Sequence, residues 1–380
     1  MEFELTEEQK DIKNAAREFA EKEYDETRFR ELDEKEEFPL DIWKKACELG
    51  FVGLHWPEEY GGQGLGYLDG VLVMEEFARV DVGMTFTLAT IFGADIIYLF
   101  GSEEQKQKYL PPLCKGEWIC GGAFTEPDAG TDLLAAKTSA VLDGDEWVIN
   151  GNKMFITNGT HANFFVTLCL TDPDAQKRSA RHSIIIVETD RPGVERSKIH
   201  GKMGIRLSDT AEIAFKDVRV PKENLVGKRG AGARQTLTFF DIGRIWVAAQ
   251  AVGAAQGILE KTIEHVKTRQ TFGMPVAWNQ DIQFRLAKHA TWIEACRALL
   301  YKAAWRIDKG DFDPTLSAMT KWYAARMAVE VIDDCLQMHG GYGYINEYPI
   351  ERAYRDVKVL EIYEGVREAE LMTIARSLLA

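Results

Sequence analysis

The hydrophobic period of this chain changes twice, and that limits its fold more than any single residue does. Up to about residue 120 the apolar positions recur at helical spacing. Leu5, Ile12, Ala15, Ala16 and Phe19 share one face with charges between them, and similar patterns cover roughly 40–50, 68–80, 84–100 and 103–112. A glycine-rich loop from Pro57 to Gly64 interrupts them. From about 121 to 225 the texture becomes that of strands: Trp147–Ile149, Phe155–Thr157, Phe164–Leu170, Ser183–Val187 and Ile213–Val220. Turn-prone pieces separate them at Asp143-Gly144-Asp145, Asn150-Gly151-Asn152, Asn158-Gly159 and Arg191-Pro192-Gly193. After Gly230 long helical windows return, at about 233–269, 278–309, 314–339, 350–357 and 365–378. The expected class is α+β in three units. A helical unit (1–120) precedes a compact antiparallel β unit (121–229), and a four-helix bundle (230–380) ends the chain. The joints are short, so the units should pack closely.

Charge and cysteine usage narrow the function. Lys plus Arg number 46 and Asp plus Glu 60, a formal net charge of −14. That opposes general nucleic-acid binding, which needs a cationic surface, and adsorption to anionic membranes. The six cysteines (47, 114, 120, 169, 296, 335) form no CxxC pair and the seven histidines are scattered. Buried thiols in a reducing compartment are expected, and no metal site. No apolar run reaches the roughly 18 residues of a membrane span, so no transmembrane helix is expected. Met1 to Lys10 is acidic and amphipathic, unlike a signal or transit peptide. The expected location is cytoplasmic, or the chain is a form already stripped of a targeting segment.

Six stretches have the residue types for chemistry, and each also admits a plain structural reading. Gly121 to Asp132, with Phe124, Thr125 and Thr131, offers backbone N–H groups and hydroxyls to a polar ligand, or is a junction turn; it matches neither GxGxxG nor the Walker pattern. Phe155 and Thr157 lie two apart on a strand and share a face, where they can flank a flat heterocycle or simply end the strand. Asp241 and Arg244 share a helix face as a ligand-binding or a structural pair. Arg269-Gln270-Thr271-Phe272-Gly273 supplies a cation to a phosphate or to a helix dipole. Gln337 to Tyr344, with Gly340-Gly341, permits close backbone approach or stops a helix. Last, Glu364 sits in a mostly apolar stretch before Gly365; desolvation there raises a carboxyl's pKa toward that of a useful general base, unless the residue faces solvent.

In this order the motifs resemble the flavin-dependent acyl-CoA dehydrogenase family, from about residue 5 to the C-terminus. Phe124-Thr-Glu-Pro-Asp-Ala-Gly-Thr-Asp132 and Gln337 through Gly365 carry most of that resemblance. It implies the same three-unit order, a homotetramer built as a dimer of dimers, and FAD shared across the dimer interface. It assigns Phe124, Thr125 and Thr131 to the flavin loop, with Thr131 also touching CoA. Phe155 and Thr157 cover the ring and reach toward N5. Arg269, Phe272, Gln280, Gln337, Gly340 and Gly341 reach FAD, several from the neighbouring subunit. Asp241 and Arg244 bind the CoA end, with Gly365 on the substrate and Val366 on the flavin side. Glu364 is implied as catalytic base. Some relatives place the base one residue before the equivalent of Arg244, which is Gly243 here.

The implied reaction is α-proton abstraction by Glu364 and β-hydride transfer to flavin N5, giving a 2,3-enoyl-CoA, with an electron-transfer flavoprotein as acceptor. Most relatives read Glu-Gly-Thr where this chain has Glu364-Gly365-Val366. Residues 84–95, which match the acyl-pocket lining, contain no Lys or Arg, against a terminal carboxylate on the substrate. Phe92, Phe239, Phe240 and Trp246 point to a short, branched or cyclic acyl group, with Asp95 as a second acid or a polar helix-edge residue. The competing readings are an enoyl-CoA reductase using the same site in reverse, an oxidase, a nucleic-acid-binding flavoprotein and a non-catalytic flavin/CoA-binding protein.

Overall fold

The computed structural model describes residues 4–380 and has the expected order of helical, β and helical units. The first unit holds α1 (Glu7–Glu23), α2 (Glu26–Lys35), α3 (Leu40–Glu48), α4 (Tyr67–Val80), α5 (Asp95–Phe100) and α6 (Glu103–Cys114). Thr6 opens α1 with a capping box: its hydroxyl accepts from Gln9 N while its own N–H donates to the Gln9 side chain. The apolar stretch Val82–Phe100 corrects one expectation. It is long and apolar enough to cross a membrane by composition, because Asp95 is its only charge. Here it is a run of 3-10 turns (Val82–Ile91) followed by α5, mostly buried in the core.

The β unit is a seven-stranded sheet. Its strands are β1 (Cys120–Ala123), β2 (Ser139–Asp143), β3 (Glu146–Thr157), β4 (Phe164–Leu170), β5 (His182–Glu188), β6 (Val194–Lys198) and β7 (Thr210–Pro221). The order is β1-β4-β2-β3-β7-β6, with β5 on β4. Two pairings depart from the antiparallel expectation: β1 runs parallel to β4, and β2 meets β4 in parallel at Ser139 and Leu170. Alternation in a sequence carries no strand direction, and β1 (Cys-Gly-Gly-Ala) has no strand signature at all. Nor does Asn150-Gly151-Asn152 separate two strands. It lies inside β3, where the pairing with β7 slips between Ile149 and Gly151, so the turn chemistry serves a bulge. A second slip lies between Lys153 and Ile156.

The last unit holds α7 (Gly232–Thr268), α8 (Gln280–Asp308), α9 (Pro314–His339), α10 (Pro349–Val357) and α11 (Arg367–Leu379). A two-stranded hairpin, β8 (Gln270–Thr271) with β9 (Met274–Pro275), joins α7 to α8. Asp313 caps α9 through Oδ1, which accepts from Thr315 N and Leu316 N, and Pro314 fills the first turn. Helix α7 ties the two helical units together. Gly253 and Gly257 have no room for a Cβ because carbonyls of Glu75 and Arg79 occupy that place, so α4 lies backbone-close against α7. One apolar core runs through both helical units, from Phe19 and Phe77 to Val252, Ile293 and Val331.

Candidate active site

Glu364 lies between the 3-10 turn Lys358–Glu361 and α11, on a turn with two successive left-handed residues: φ is +56° at Glu364 and +109° at Gly365. A non-glycine residue pays for that conformation and keeps it only where the surroundings over-determine it. They do so on three sides. The Tyr363 hydroxyl donates to Gln250 Oε1 on α7, and Gln250 Nε2 donates to Thr85 Oγ1 at 2.9 Å, tying the turn to the Val82–Ile91 segment. Lys321 Nζ on α9 donates to the Gly365 carbonyl at 2.5 Å. The Arg244 guanidinium lies beside Gly365, where a Cβ would sit 3.6 Å from its Nη2.

The carboxylate turns inward from this turn. The residue as a whole is half-buried, yet Glu364 Oε2 is buried with no hydrogen-bond partner among the described residues. It rests against helix α7 at Gly243, where an added Cβ would overlap Oε2 and sit 3.3 Å from the carboxylate carbon. Burial pushes its pKa up to about 8, against the opposing pull of Lys321 and Arg244. Among the described residues its backbone N–H has no acceptor within the chain. A buried carboxyl with its pKa raised toward neutrality and an open N–H on the same residue suit proton abstraction beside a polarised carbonyl.

Asp241 and Arg244 form the expected i, i+3 ion pair on α7. Arg244 is buried against the Glu364-Gly365 turn, and its Nε has no partner among the described residues. Burial raises the Asp241 pKa while Arg244 pulls it down. Val366 follows Gly365 and caps α11 without a side-chain hydrogen bond.

The remaining sequence-predicted residues fall in two other places. On the sheet, Phe155 stands 65% exposed with φ +59°, and Thr157 is half-buried; both lie opposite the buried Ile156. The loop after β1 presents Thr125 half-buried and Thr131 exposed, whereas the Phe124 side chain packs inward against Phe92, Phe239 and Phe240. At the far end of α7 a groove of about 630 Å³ brings together Arg269, Gln337, Gly340 and Gly341. The Arg269 guanidinium sits 5.4 Å over the Tyr342 ring, and the buried His265 Nε2 on the groove wall has no partner. Gln280 starts α8 nearby and is exposed; Phe272 is fully exposed at the hairpin tip and does not line the groove. Arg244 and Arg269 are 25 residues apart on one helix, a span of roughly 37 Å at 1.5 Å per residue.

Sequence reasoning missed three features. Lys153 is fully buried beneath the loop: Nζ donates to the Phe124 and Leu168 carbonyls and to Glu126 Oε1, at 3.1, 2.8 and 2.9 Å. Glu126 also accepts from Lys137 N and Thr138 N, so one ion pair shapes the whole 124–138 loop. Asp95 opens α5, at a helix edge as expected, but its burial and its partners were missed. It is buried, and its Oδ1 accepts from His55 Nε2 and Trp56 Nε1, each at 2.8 Å. The third feature is the fully buried Lys321–Glu370 pair beside Gly365. Lys321 had a legible signal: it lies on the α9 stripe otherwise made of Ala318, Ala324, Ala325 and Ala328.

Three family profiles cover nearly the whole chain: "Acyl-CoA dehydrogenase, N-terminal domain" over residues 6–117, "Acyl-CoA dehydrogenase, middle domain" over 121–218 and "Acyl-CoA dehydrogenase, C-terminal domain" over 230–379. The chain is 42% identical over 382 residues to the acryloyl-CoA reductase (NADH) of Anaerotignum propionicum, covering 100% of this chain and 96% of that protein. The solved structure of butyryl-CoA dehydrogenase from Megasphaera elsdenii superposes with a TM-score of 0.96 at 38% identity, each chain covered in full. A chain in a structure described as the electron transferring flavoprotein of Acidaminococcus fermentans matches equally, with a TM-score of 0.96, 43% identity and full coverage of both. Full-length matches in sequence and in shape agree with the site's geometry: the chain belongs to the acyl-CoA dehydrogenase family of FAD-dependent oxidoreductases.

Proposed function

We propose that the protein oxidises a short, branched or cyclic acyl-CoA to the 2,3-enoyl-CoA, with Glu364 as the base. One observation carries the assignment: the buried, unpartnered Glu364 Oε2, held over Gly243 by a left-handed turn. The Glu364 N–H, with no acceptor among the described residues, donates to the thioester carbonyl and acidifies the α-carbon. The carboxylate removes the α-proton. Asp241 and Arg244 orient the CoA end, with Thr131 and Gly365 at the thioester side. FAD, when bound, supplies the hydride acceptor for the β-carbon.

The residues present fit that cofactor. Added Cβ atoms at Gly340 and Gly341 would meet nothing within 4 Å, so the groove floor is open, and an unpaired buried His265 Nε2 borders it. Arg269, Gln337, Gly340 and Gly341 would hold the dinucleotide at this end, with Gln280 and Phe272 flanking. Thr125, Thr131, Phe155, Thr157 and the loop backbone at Phe124 would hold it at the sheet, and Val366 beside the turn. The groove lies roughly 37 Å along α7 from Arg244, a separation that supports its serving the flavin of a second subunit. Exposed Phe272, Trp278 and Phe284 support such a neighbour, in a homotetramer. Six buried cysteines without a disulfide support a cytoplasmic location. The unit boundaries at 120 and 229 belong to the same reading, as does an electron-transfer flavoprotein as redox partner, which the matched structure described by that name supports.

The acyl assignment rests on the ring cluster of Phe92, Phe239, Phe240 and Phe124, with Phe92 and Phe239 centroids 5.1 Å apart, and on the absence of Lys or Arg from residues 84–95. Product analysis by mass spectrometry, with an electron-transfer flavoprotein as acceptor, tests it. Butyryl-, isobutyryl- or cyclohexanecarboxyl-CoA should yield the enoyl thioester, and turnover of glutaryl-CoA alone would refute it. The reductase relative favours a second reading, the same site run in reverse. Faster reoxidation of the reduced protein by an enoyl-CoA than reduction by the acyl-CoA would select it.

A further inference from the structure

The carboxylate of Glu364 is surrounded by charges that its own segment does not supply. Helix α7 presents Arg244, paired with Asp241. Helix α9 presents Lys321 and α11 presents Glu370, with Lys321 Nζ 2.8 Å from Glu370 Oε1 and both side chains fully buried. From its own segment come Tyr363, bonded to Gln250, and Glu361, which Lys358 and Arg326 face. Lys321 has two partners: its proton is directed to the Gly365 carbonyl at 2.5 Å, and Glu370 holds it by charge, since neither Glu370 oxygen has an aligned hydrogen bond. A buried lysine and glutamate cost desolvation that a structural helix contact does not require. The pair reaches the carbonyl of the Gly365–Val366 peptide, which closes the turn that carries Glu364.

We infer that Lys321 and Glu370 are a paired positioning device for the catalytic base: Lys321 clamps the Gly365 carbonyl, and Glu370 sets how much of the Lys321 charge the Glu364 carboxylate feels. The inference rests on Glu364 being the base. With Glu364 protonated, its neighbours Lys321, Arg244, Glu370 and Asp241 balance two positive against two negative charges. Ionising Glu364 leaves one uncompensated negative charge, so removing either member of the pair moves the base, and in opposite directions. Lys321 opposes the burial-driven rise of the Glu364 pKa, whereas Glu370 adds to it.

The test is the pH profile of flavin reduction in the anaerobic holoenzyme, comparing wild type, Glu370→Gln, Lys321→Met and the double variant. Glu370→Gln keeps the shape and should move the acid limb down by about one pH unit; Lys321→Met should move it up by a similar amount. The double variant leaves no buried unpaired charge and should fall between the two, which keeps the test available if Lys321→Met alone fails to fold. Movement in the predicted opposite senses supports the inference. Lower rates with an unmoved midpoint in Glu370→Gln, and a double variant that titrates with Glu370→Gln instead of above it, would overturn it and leave the pair a packing contact. Infrared titration of the carboxyl band that Glu364→Gln removes reads the same shifts without turnover. If wild type is not reduced by any acyl-CoA, the proposed function fails, and the infrared shifts still decide the inference.

Discussion

Replacing Gly243 by alanine places one methyl group against the Glu364 carboxylate, whose atoms are the three nearest to it. The added Cβ would lie 3.3 Å from the Glu364 carboxylate carbon and below 3.0 Å from Oε2, a separation real Cβ atoms essentially never show. Relief requires Oε2 to retreat by roughly 1 Å, and a 1 Å misplacement of a reacting group costs on the order of 100-fold in rate. The same substitution, within helix α7, replaces the poorer helix former by the best one, a gain of about 0.5–1 kcal/mol. Activity and stability should therefore part: flavin reduction by the acyl-CoA falls 10- to 100-fold, while the melting temperature and FAD content hold or rise. Stopped-flow reduction and a thermal melt on one preparation read both. A Gly243→Ala protein reduced at the wild-type rate would refute the reasoning, because it would remove the carboxylate from the face of α7 on which the assignment depends.

Further outcomes follow from the same geometry. Moving the carboxylate across this contact, with Gly243→Glu in a Glu364→Gly background, should restore at least tenfold over Glu364→Gly alone; no recovery would mean that position 243 does not reach the α-carbon. The acid limb of kcat/KM should have its midpoint near pH 8, because burial raises the Glu364 pKa to about 8. Its stability effect runs the other way. The folded state holds that proton more tightly than the unfolded chain, so the contribution is complete below pH 4.5 and is lost as pH rises through about 8. Glu364→Gln should flatten that part of the melting-temperature profile. Lys153→Met strands the Glu126 carboxylate and the Phe124 and Leu168 carbonyls, which should cost about 3–5 kcal/mol and release FAD; an unchanged melt would remove Lys153 as the loop's foundation.

The two changes of hydrophobic period made the order of units and the long helices legible, since a 26-residue α9 with a capping aspartate, Pro314 and Gly340 announces both ends. The Asp241–Arg244 pair was legible because helical spacing puts both on one face. Strand direction was not: β1 pairs in parallel with a strand more than 40 positions later, and nothing local encodes that. The positive φ of Phe155 was also hidden, because the register slip that creates it depends on β7 as much as on β3. The helix-edge position of Asp95 was legible, but its burial was not, because its partners, His55 and Trp56, are some 40 positions away. Lys321 was half legible as a lysine on an alanine stripe, whereas its partner Glu370 lies among other polar residues of α11 and gives no such signal.

The most direct test of the central claim is anaerobic titration of the yellow holoprotein with butyryl-, octanoyl-, isobutyryl-, glutaryl- and cyclohexanecarboxyl-CoA, following the flavin absorbance beside Glu364→Gln. The account predicts rapid bleaching by a short, branched or cyclic thioester and its loss in the variant, with FAD content unchanged. Equal bleaching of wild type and Glu364→Gln would contradict the assignment of the base, and a protein that takes up no FAD would contradict the account as a whole.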